Sequence, residues 1–325
     1  MLKLGIRVST EVTYGKGHFM RCLSIRKYIK GDIIWFFDKK SDAIEKNIPM
    51  IDKIIYENDS SKNINLKKYI LNKEIDGLLI DNTAINIEEI RGLDRKMPIA
   101  ALVDTDNKIK VNIVICPQPI NIKNINGIKY LCGPKYAPIE NSDKCYKKNI
   151  DYSNLLVSFG SYDSKGVTLN AIEAIKSLIK NKGYRFSVIV TLGKDSPILR
   201  KVRASIKNVS SFKLIVDTNN MEKIYSKCSI AIGAPGLSHL ERMYYGMASL
   251  LISQNFVHEP LVNKWVSLGV AFKAENSILS IENNLQKLLD NDSLSKRIIS
   301  KGMTLVDGKG AIRIANEINK LVILR

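Results

Sequence analysis

Leu4-Gly5-Ile6-Arg7-Val8, followed shortly by Thr13-Tyr14-Gly15-Lys16-Gly17-His18-Phe19-Met20-Arg21-Cys22-Leu23, reads as a strand, a glycine turn and a helix. Gly15 and Gly17 permit a tight turn and let N–H groups of the helix start approach an anion. The third glycine of a dinucleotide fingerprint is missing, so no nicotinamide or flavin cofactor is expected. A histidine stands on the first helical turn instead, over the carboxyl ends of the strands, where open α/β sheets bind ligands. An imidazole there can take a proton from water or a hydroxyl, or it can merely cap or pack the helix. Chemistry leaves both readings of His18 open. Arg21, one turn on, either reaches a phosphate or has a structural or solvated place.

Outward from this turn, short apolar runs alternate with amphipathic helical stretches. Strands are predicted at 4–8, 33–37, 78–81, 99–103 and 111–115, with helices near 19–29, 65–73 and 86–96 between them. Gly77-Leu78-Leu79-Ile80 and Ile99-Ala100-Ala101-Leu102-Val103 are apolar throughout, as strands covered on both faces require. Such alternation means βαβ units and a parallel sheet. A polar stretch at 136–152 reads as a linker. The rhythm then restarts, with strands at 155–159, 186–192, 214–216, 229–232 and 250–253. Helices are predicted at 167–181, 198–206, 221–227, 237–245 and 261–268. Residues 281–325 read as two or three helices without a further strand. The expected architecture is α/β: two Rossmann-like domains, 1–145 and 146–325, facing across a cleft, with a helical C-terminal tail.

The second domain repeats the strand–turn pattern twice. Ser158-Phe159-Gly160-Ser161-Tyr162-Asp163 places small residues Gly160 and Ser161 where a pyrophosphate can approach, although a plain βα turn looks the same. Gly233-Ala234-Pro235-Gly236-Leu237-Ser238-His239-Leu240-Glu241 opens another helix. Gly236, Leu237 and Ser238 there suit phosphate oxygens, and the Glu241 carboxylate can accept from both hydroxyls of a ribose. An exposed helix glutamate is the plainer alternative. Just upstream, Asp217-Thr218-Asn219-Asn220-Met221 either presents backbone groups to a base, through Thr218 and Met221, or is an ordinary capped helix start.

Composition narrows the partners. The 325 residues carry 50 Lys and Arg against 32 Asp and Glu, a formal net charge of +18. These charges are spread along the chain without a dense basic block or interleaved aromatics, so nucleic acid is not the expected partner. The excess reads first as composition and second as help for an anionic ligand. Five scattered cysteines and three separated histidines lack metal-ligand spacing, so no metal is expected. No apolar run is long enough to span a bilayer and no secretory leader is recognisable, which gives a cytoplasmic expectation without membrane insertion.

Gly17-His18-Phe19-Met20-Arg21-Cys22-Leu23 after Ile6-Arg7, with Val306-Asp307-Gly308-Lys309-Gly310-Ala311-Ile312-Arg313 near the end, resembles the signatures of the pseudaminic acid pathway UDP-sugar hydrolases. These act on UDP-2,4-diacetamido-2,4,6-trideoxy-β-L-altropyranose and are akin to spore-coat polysaccharide proteins. The 158–163 and 236–241 segments are similar to turns shared by many GT-B proteins. The resemblance implies a GT-B fold, no cofactor or metal, and hydrolysis of a UDP-linked diacetamido-trideoxy sugar with inversion. It implies that His18 activates the water, with Gly15, Gly17, Arg21, Asp81 and Thr83 near the substrate. Gly160, Ser161, Gly236, Leu237 and Ser238 would hold UDP, Glu241 the ribose, Thr218 and Met221 the uracil edge, and Asn255 a further contact. A monomer or weak dimer is expected. The alternative is a GT-B glycosyltransferase with a UDP-sugar donor. Three positions depart from the family: Thr83 stands where a tyrosine is usual, Ser9 where an acid is usual, and the Asn-Gln pair around Asn255 is half kept.

Overall fold

The computed structural model describes residues 2–11, 16–57, 63–81, 97–105, 109–139, 151–218, 220–256 and 258–323. The chain divides into two compact units, Met1–Asn141 with Gly308–Arg325, and Ser142–Asp307.

The first unit holds a seven-stranded sheet of β1 (Lys3–Arg7), β2 (Asp32–Phe37), β3 (Lys53–Tyr56), β4 (Gly77–Asp81), β5 (Ile99–Leu102), β6 (Ile113–Cys116) and β7 (Lys129–Cys132), in the order β3-β2-β1-β4-β5-β6-β7. Every pairing is parallel. Side chains alternate across a strand, so β2 sends Ile33, Trp35 and Phe37 to one core and Ile34 and Phe36 to the other. Helix Gly17–Arg26 covers the first of these faces through Phe19, Cys22 and Ile25. β4 and β5 are buried along their whole length, as the sequence predicts for strands roofed on both sides. The edge strands β3 and β7 were not predicted. Each begins with an exposed lysine and is only partly buried, so neither shows the wholly apolar run of a central strand. The predicted helix at 86–96 lies outside the described residues, as does most of the predicted linker.

The second unit holds β8 (Asn154–Ser158), β9 (Ser187–Leu192), β10 (Phe212–Val216), β11 (Ile230–Gly233), β12 (Ala248–Ile252) and β13 (Phe272–Ala274), ordered β10-β9-β8-β11-β12-β13 and again parallel. The predicted helices are present as Val167–Lys182, Leu199–Ile206, Glu222–Tyr225, Leu237–Tyr244 and His258–Ser267. In each sheet the chain reverses its direction of travel beside the first strand, between β1 and β4 and between β8 and β11. These are the switch points at which open α/β sheets take ligands.

The C-terminal region is three helices, Ile278–Asp290, Asp292–Leu305 and Gly310–Ile323. The expected boundary, with 146–325 in one domain, gives way for the last of them, because Gly308–Arg325 belongs to the first unit. Ala311, Ile314, Ala315 and Ile318 are buried in the same core as Leu4, Ile6 and Phe19. The reason is steric as well as apolar: a Cβ at Gly310 would stand 2.1 Å from the Ala137 carbonyl oxygen, so only glycine lets the helix start lie on that backbone. Arg313 Nη1 donates to the Lys135 carbonyl at 2.8 Å. Among the described residues no helix is long and apolar enough to cross a membrane.

Candidate active site

At the switch point of the first sheet, helix Gly17–Arg26 follows β1 and brings His18 and Arg21 over the end of β4. Asp81 is the last residue of β4 and is fully buried. Its Oδ1 lies 3.0 Å from His18 Nδ1. Arg21 grips the same carboxylate through Nε to Oδ2 at 2.6 Å and Nη2 to Oδ1 at 3.0 Å. The guanidinium then reaches Asp104, just past β5, through Nη1 at 2.7 Å and Nη2 at 3.0 Å. Burial by itself would raise the Asp81 pKa, but the Arg21 charge and the hydrogen bonds of His18 and Arg21 outweigh it and hold the carboxyl well below the usual range. An ionised carboxylate only accepts, so Nδ1 carries the hydrogen of this contact, and in the neutral ring Nε2 is the basic nitrogen. The His18 side chain is 18% exposed, above the fully buried Asp81 carboxylate.

Arg21, expected near the substrate, is paired within the chain in this structure. It is buried, and four of its N–H groups serve the two aspartates. Asp81 likewise accepts from both His18 and Arg21. Gly17 opens the helix with nothing within 4 Å of where a Cβ would stand. Gly15 and Thr83 lie outside the described residues. Asp104 was missed, although an acid closing an apolar strand is the same signal that singles out Asp81. At the departure at position 9, Ser9 Oγ donates to Asp38 at 2.5 Å. Asp38 in turn pairs with the fully buried Arg7, so an acid from the end of β2 stands beside position 9.

The second sheet presents its own turns at the ends of β8 and β11. Gly160 has φ +88°, a left-handed backbone that favours glycine, and Gly160 and Gly236 both face open space. Ser161 is tied by its carbonyl to the Gly193 N–H at 2.8 Å. Asp163 accepts from the N–H groups of Val167 and Thr168 at the start of the following helix. Gln254, not singled out from the sequence, links it to β12 by donating to the Phe159 carbonyl at 3.2 Å and to Asp163 at 3.1 Å.

Helix Leu237–Tyr244 starts at Gly236, with Leu237 and Ser238 in its first turn, where N–H groups have no partner within the helix. One turn on, Glu241 Oε2 accepts from the Tyr225 hydroxyl at 2.7 Å. Burial pushes the Glu241 carboxyl up, against that hydrogen bond and the nearby Arg242 charge. Tyr225 stacks on Tyr245 with centroids 5.4 Å apart, a clamp the sequence did not reveal. The other residues singled out from the sequence stand at turns and helix starts. Thr218 Oγ1 accepts from the Asn220 N–H at 3.1 Å, Met221 is the N-cap of Glu222–Tyr225, and Asn255 Oδ1 accepts from the His258 N–H at 3.0 Å.

No protein-family model matches the chain. It is 26% identical over 281 residues to an uncharacterized protein of Methanocaldococcus jannaschii, covering 78% of this chain and 56% of that protein. To the spore coat polysaccharide biosynthesis protein SpsG of Bacillus subtilis it is 27% identical over 175 residues, 52% of this chain and 50% of that one. The chain thus spans about half the length of the curated relatives it matches. Among solved structures, the S. aureus MnaA–UDP complex superposes with a TM-score of 0.73 at 15% identity, over 100% of this chain and 98% of the other. A putative UDP-N-acetylglucosamine 2-epimerase from Listeria monocytogenes gives 0.72 at 12% identity, over 96% and 94%. MurG of Acinetobacter baumannii gives 0.66 at 13% identity, over 98% and 99%. With its two parallel sheets of seven and six strands, the chain has the two-domain GT-B fold, built of Rossmann-like units.

Proposed function

We propose that this chain is a metal-independent hydrolase of a UDP-linked sugar, with a diacetamido-trideoxy sugar as the substrate class. The observation that carries the reading is the contact of His18 Nδ1 with the buried, Arg21-clamped Asp81 carboxylate at 3.0 Å. A carboxylate that fixes one ring nitrogen aims the other as a proton acceptor, which is what a water-activating base needs. In the proposed step Nε2 takes a proton from water as its oxygen attacks the anomeric carbon. The bond from that carbon to the β-phosphate oxygen breaks, UDP leaves with the electron pair, and the free sugar carries inverted stereochemistry.

The nucleotide is assigned to the second unit, with its diphosphate at the Gly160–Ser161 and Gly236–Ser238 turns and the ribose hydroxyls on Glu241. Backbone N–H groups at a helix start stabilise the charge that builds on the leaving phosphate. The likeness to a spore coat polysaccharide biosynthesis protein and to UDP-bound structures of the same fold supports sugar-nucleotide chemistry.

The test is incubation with a panel of UDP-N-acetylated deoxysugars, following UDP and the sugar anomers by NMR. Free UDP with inverted sugar is expected from the unmodified protein. His18→Asn is expected to lower kcat by ~10²–10⁴-fold with UDP affinity unchanged; full activity in that variant would rule out His18 as the base. A second reading, a glycosyltransferase, draws on the fold shared with glycosyltransferase structures. It predicts that UDP is released only when an acceptor sugar is added.

A further inference from the structure

Among the described residues three arginines are buried to 0–4% exposure: Arg7, Arg21 and Arg242. Burying a guanidinium is costly unless an anion and hydrogen bonds compensate. Arg7 has Asp38, and Arg21 has Asp81 and Asp104. Arg242 forms no ion pair among the described residues. Its Nη2 donates to the Ala234 carbonyl at 2.5 Å, while Nε and Nη1 have no hydrogen-bond partner. Burial lowers its pKa to about 10, with Tyr225 and Glu241 opposing the fall, so the group stays cationic at neutral pH.

Its position explains what such a charge is for. Side chains on a helix slope toward the N-terminus, and Arg242 uses this to run back under the start of its own helix. A Cβ at Gly233 would stand 2.3 Å from Arg242 Nη1 and 2.3 Å from the Ser158 carbonyl oxygen. The guanidinium therefore lies against the ends of β8 and β11, the switch point of the second sheet. Above it the Gly233–Gly236 turn is held from below at two carbonyls, Ala234 by Arg242 and Pro235 by the Trp265 indole at 3.1 Å. Gly160 and Gly236 flank the same edge and face open space.

We infer that Arg242 is a positioning residue whose buried charge is completed by the diphosphate of a bound nucleotide. The anion that Arg7 and Arg21 find within the chain, Arg242 finds in its ligand. It acts on the ligand from beneath the turn, by its field and by fixing the Ala234 carbonyl, so that the helix N–H groups face the phosphates. The inference rests on reading the second unit as the nucleotide site, and the test separates the two.

Binding of UDP and of uridine to the full chain is measured by calorimetry for wild type, Arg242→Met and Arg242→Lys, with Tm of each ligand-free protein. Wild type that binds uridine but not UDP, or neither, sinks the nucleotide reading and this inference with it. Given wild-type UDP binding, Arg242→Met is expected to weaken UDP by ~10–100-fold, the range for hydrogen bonds to a charged group, and to leave uridine within about twofold. Arg242→Lys is expected to keep most of the preference for UDP over uridine. The Tm of ligand-free Arg242→Met is expected to equal or exceed that of wild type, because an uncompensated charge has been removed. UDP affinity unchanged in Arg242→Met, or equal losses for UDP and uridine, overturns the inference. So does an Arg242→Met chain that no longer folds, since the guanidinium would then be a structural strut already compensated without ligand.

Discussion

Asp81 concentrates the chemistry of the first unit in one carboxylate. It is fully buried, accepts from both His18 and Arg21, and is held ionised by that company against its own desolvation. Asp81→Asn keeps the shape but removes the charge, and an amide can present its NH₂ to the ring and so permit the other tautomer. Turnover is expected to fall by ~10²–10⁴-fold with UDP binding intact, as when an orienting carboxylate is neutralised. Breaking a buried pair also lowers stability by on the order of 3 kcal/mol, read by urea unfolding. The pH dependence follows from the depressed pKa. The contribution of Asp81 is present above its ordinary value of 3.8 and is lost as pH falls below it toward the lower folded value. The variant should therefore show a flatter acid limb; an unchanged limb with unchanged turnover would mean that Asp81 neither orients nor anchors.

Helix Leu237–Tyr244 shows how one short element serves two ends. Its half-buried first turn offers N–H groups, while His239 and Arg242 lie fully buried beneath it. His239 packs edge-on against Trp265, with ring centroids 5.0 Å apart. Neither of its nitrogens has a hydrogen-bond partner among the described residues. Burial and then the Arg242 charge push its pKa well below the ordinary 6.5, so the folded protein holds it neutral. The unfolded chain takes up a proton below about pH 6.5 that the folded one refuses. Stability is therefore full above that pH and declines as pH falls, by up to about 1.4 kcal/mol per pH unit. His239→Phe, which keeps an aromatic against Trp265, is expected to flatten this slope in urea titrations between about pH 6.5 and 5. An equal slope in both proteins would show that some other group carries the acid sensitivity.

At the scale of the whole molecule, the chain returns to its first unit through Gly310–Ile323. The apolar stripe of Ala311, Ile314, Ala315 and Ile318 completes the core that Leu4 and Phe19 begin. Gly310 is the point of closest approach, facing the Ala137 backbone. Gly310→Ala is expected to lower stability by ~1–3 kcal/mol through overpacking. Hydrogen exchange should show the loss in β1 and β7 and spare β8 to β12, because the helix belongs to the first unit. Equal loss in both units, or none in the first, would place the helix elsewhere in solution.

The alternation of apolar strands and amphipathic helices determined the fold class from sequence, because β4, β5, β8 and β12 are apolar enough for their pattern to mean burial on both faces. The edge strands β3 and β13, the latter only Phe272–Ala274, escaped because they are partly buried and each carries a lysine, so neither shows a wholly apolar run. The glycine turn likewise marked His18, and the residue types at Asp81 and Glu241 were visible. What the sequence could not say is which charged groups are buried and beside what. Arg21 looks the same on paper whether solvated or clamped between Asp81 and Asp104, and Arg242 attracts no notice until it is found under Gly233 with no ion pair among the described residues. The apolar stripe of the last helix is likewise written in the sequence, but the core it enters is not. Periodicity is a local property and is set by neighbours along the chain, whereas the electrostatics of a site and the docking of a helix depend on residues far apart in sequence that only the folded chain brings together.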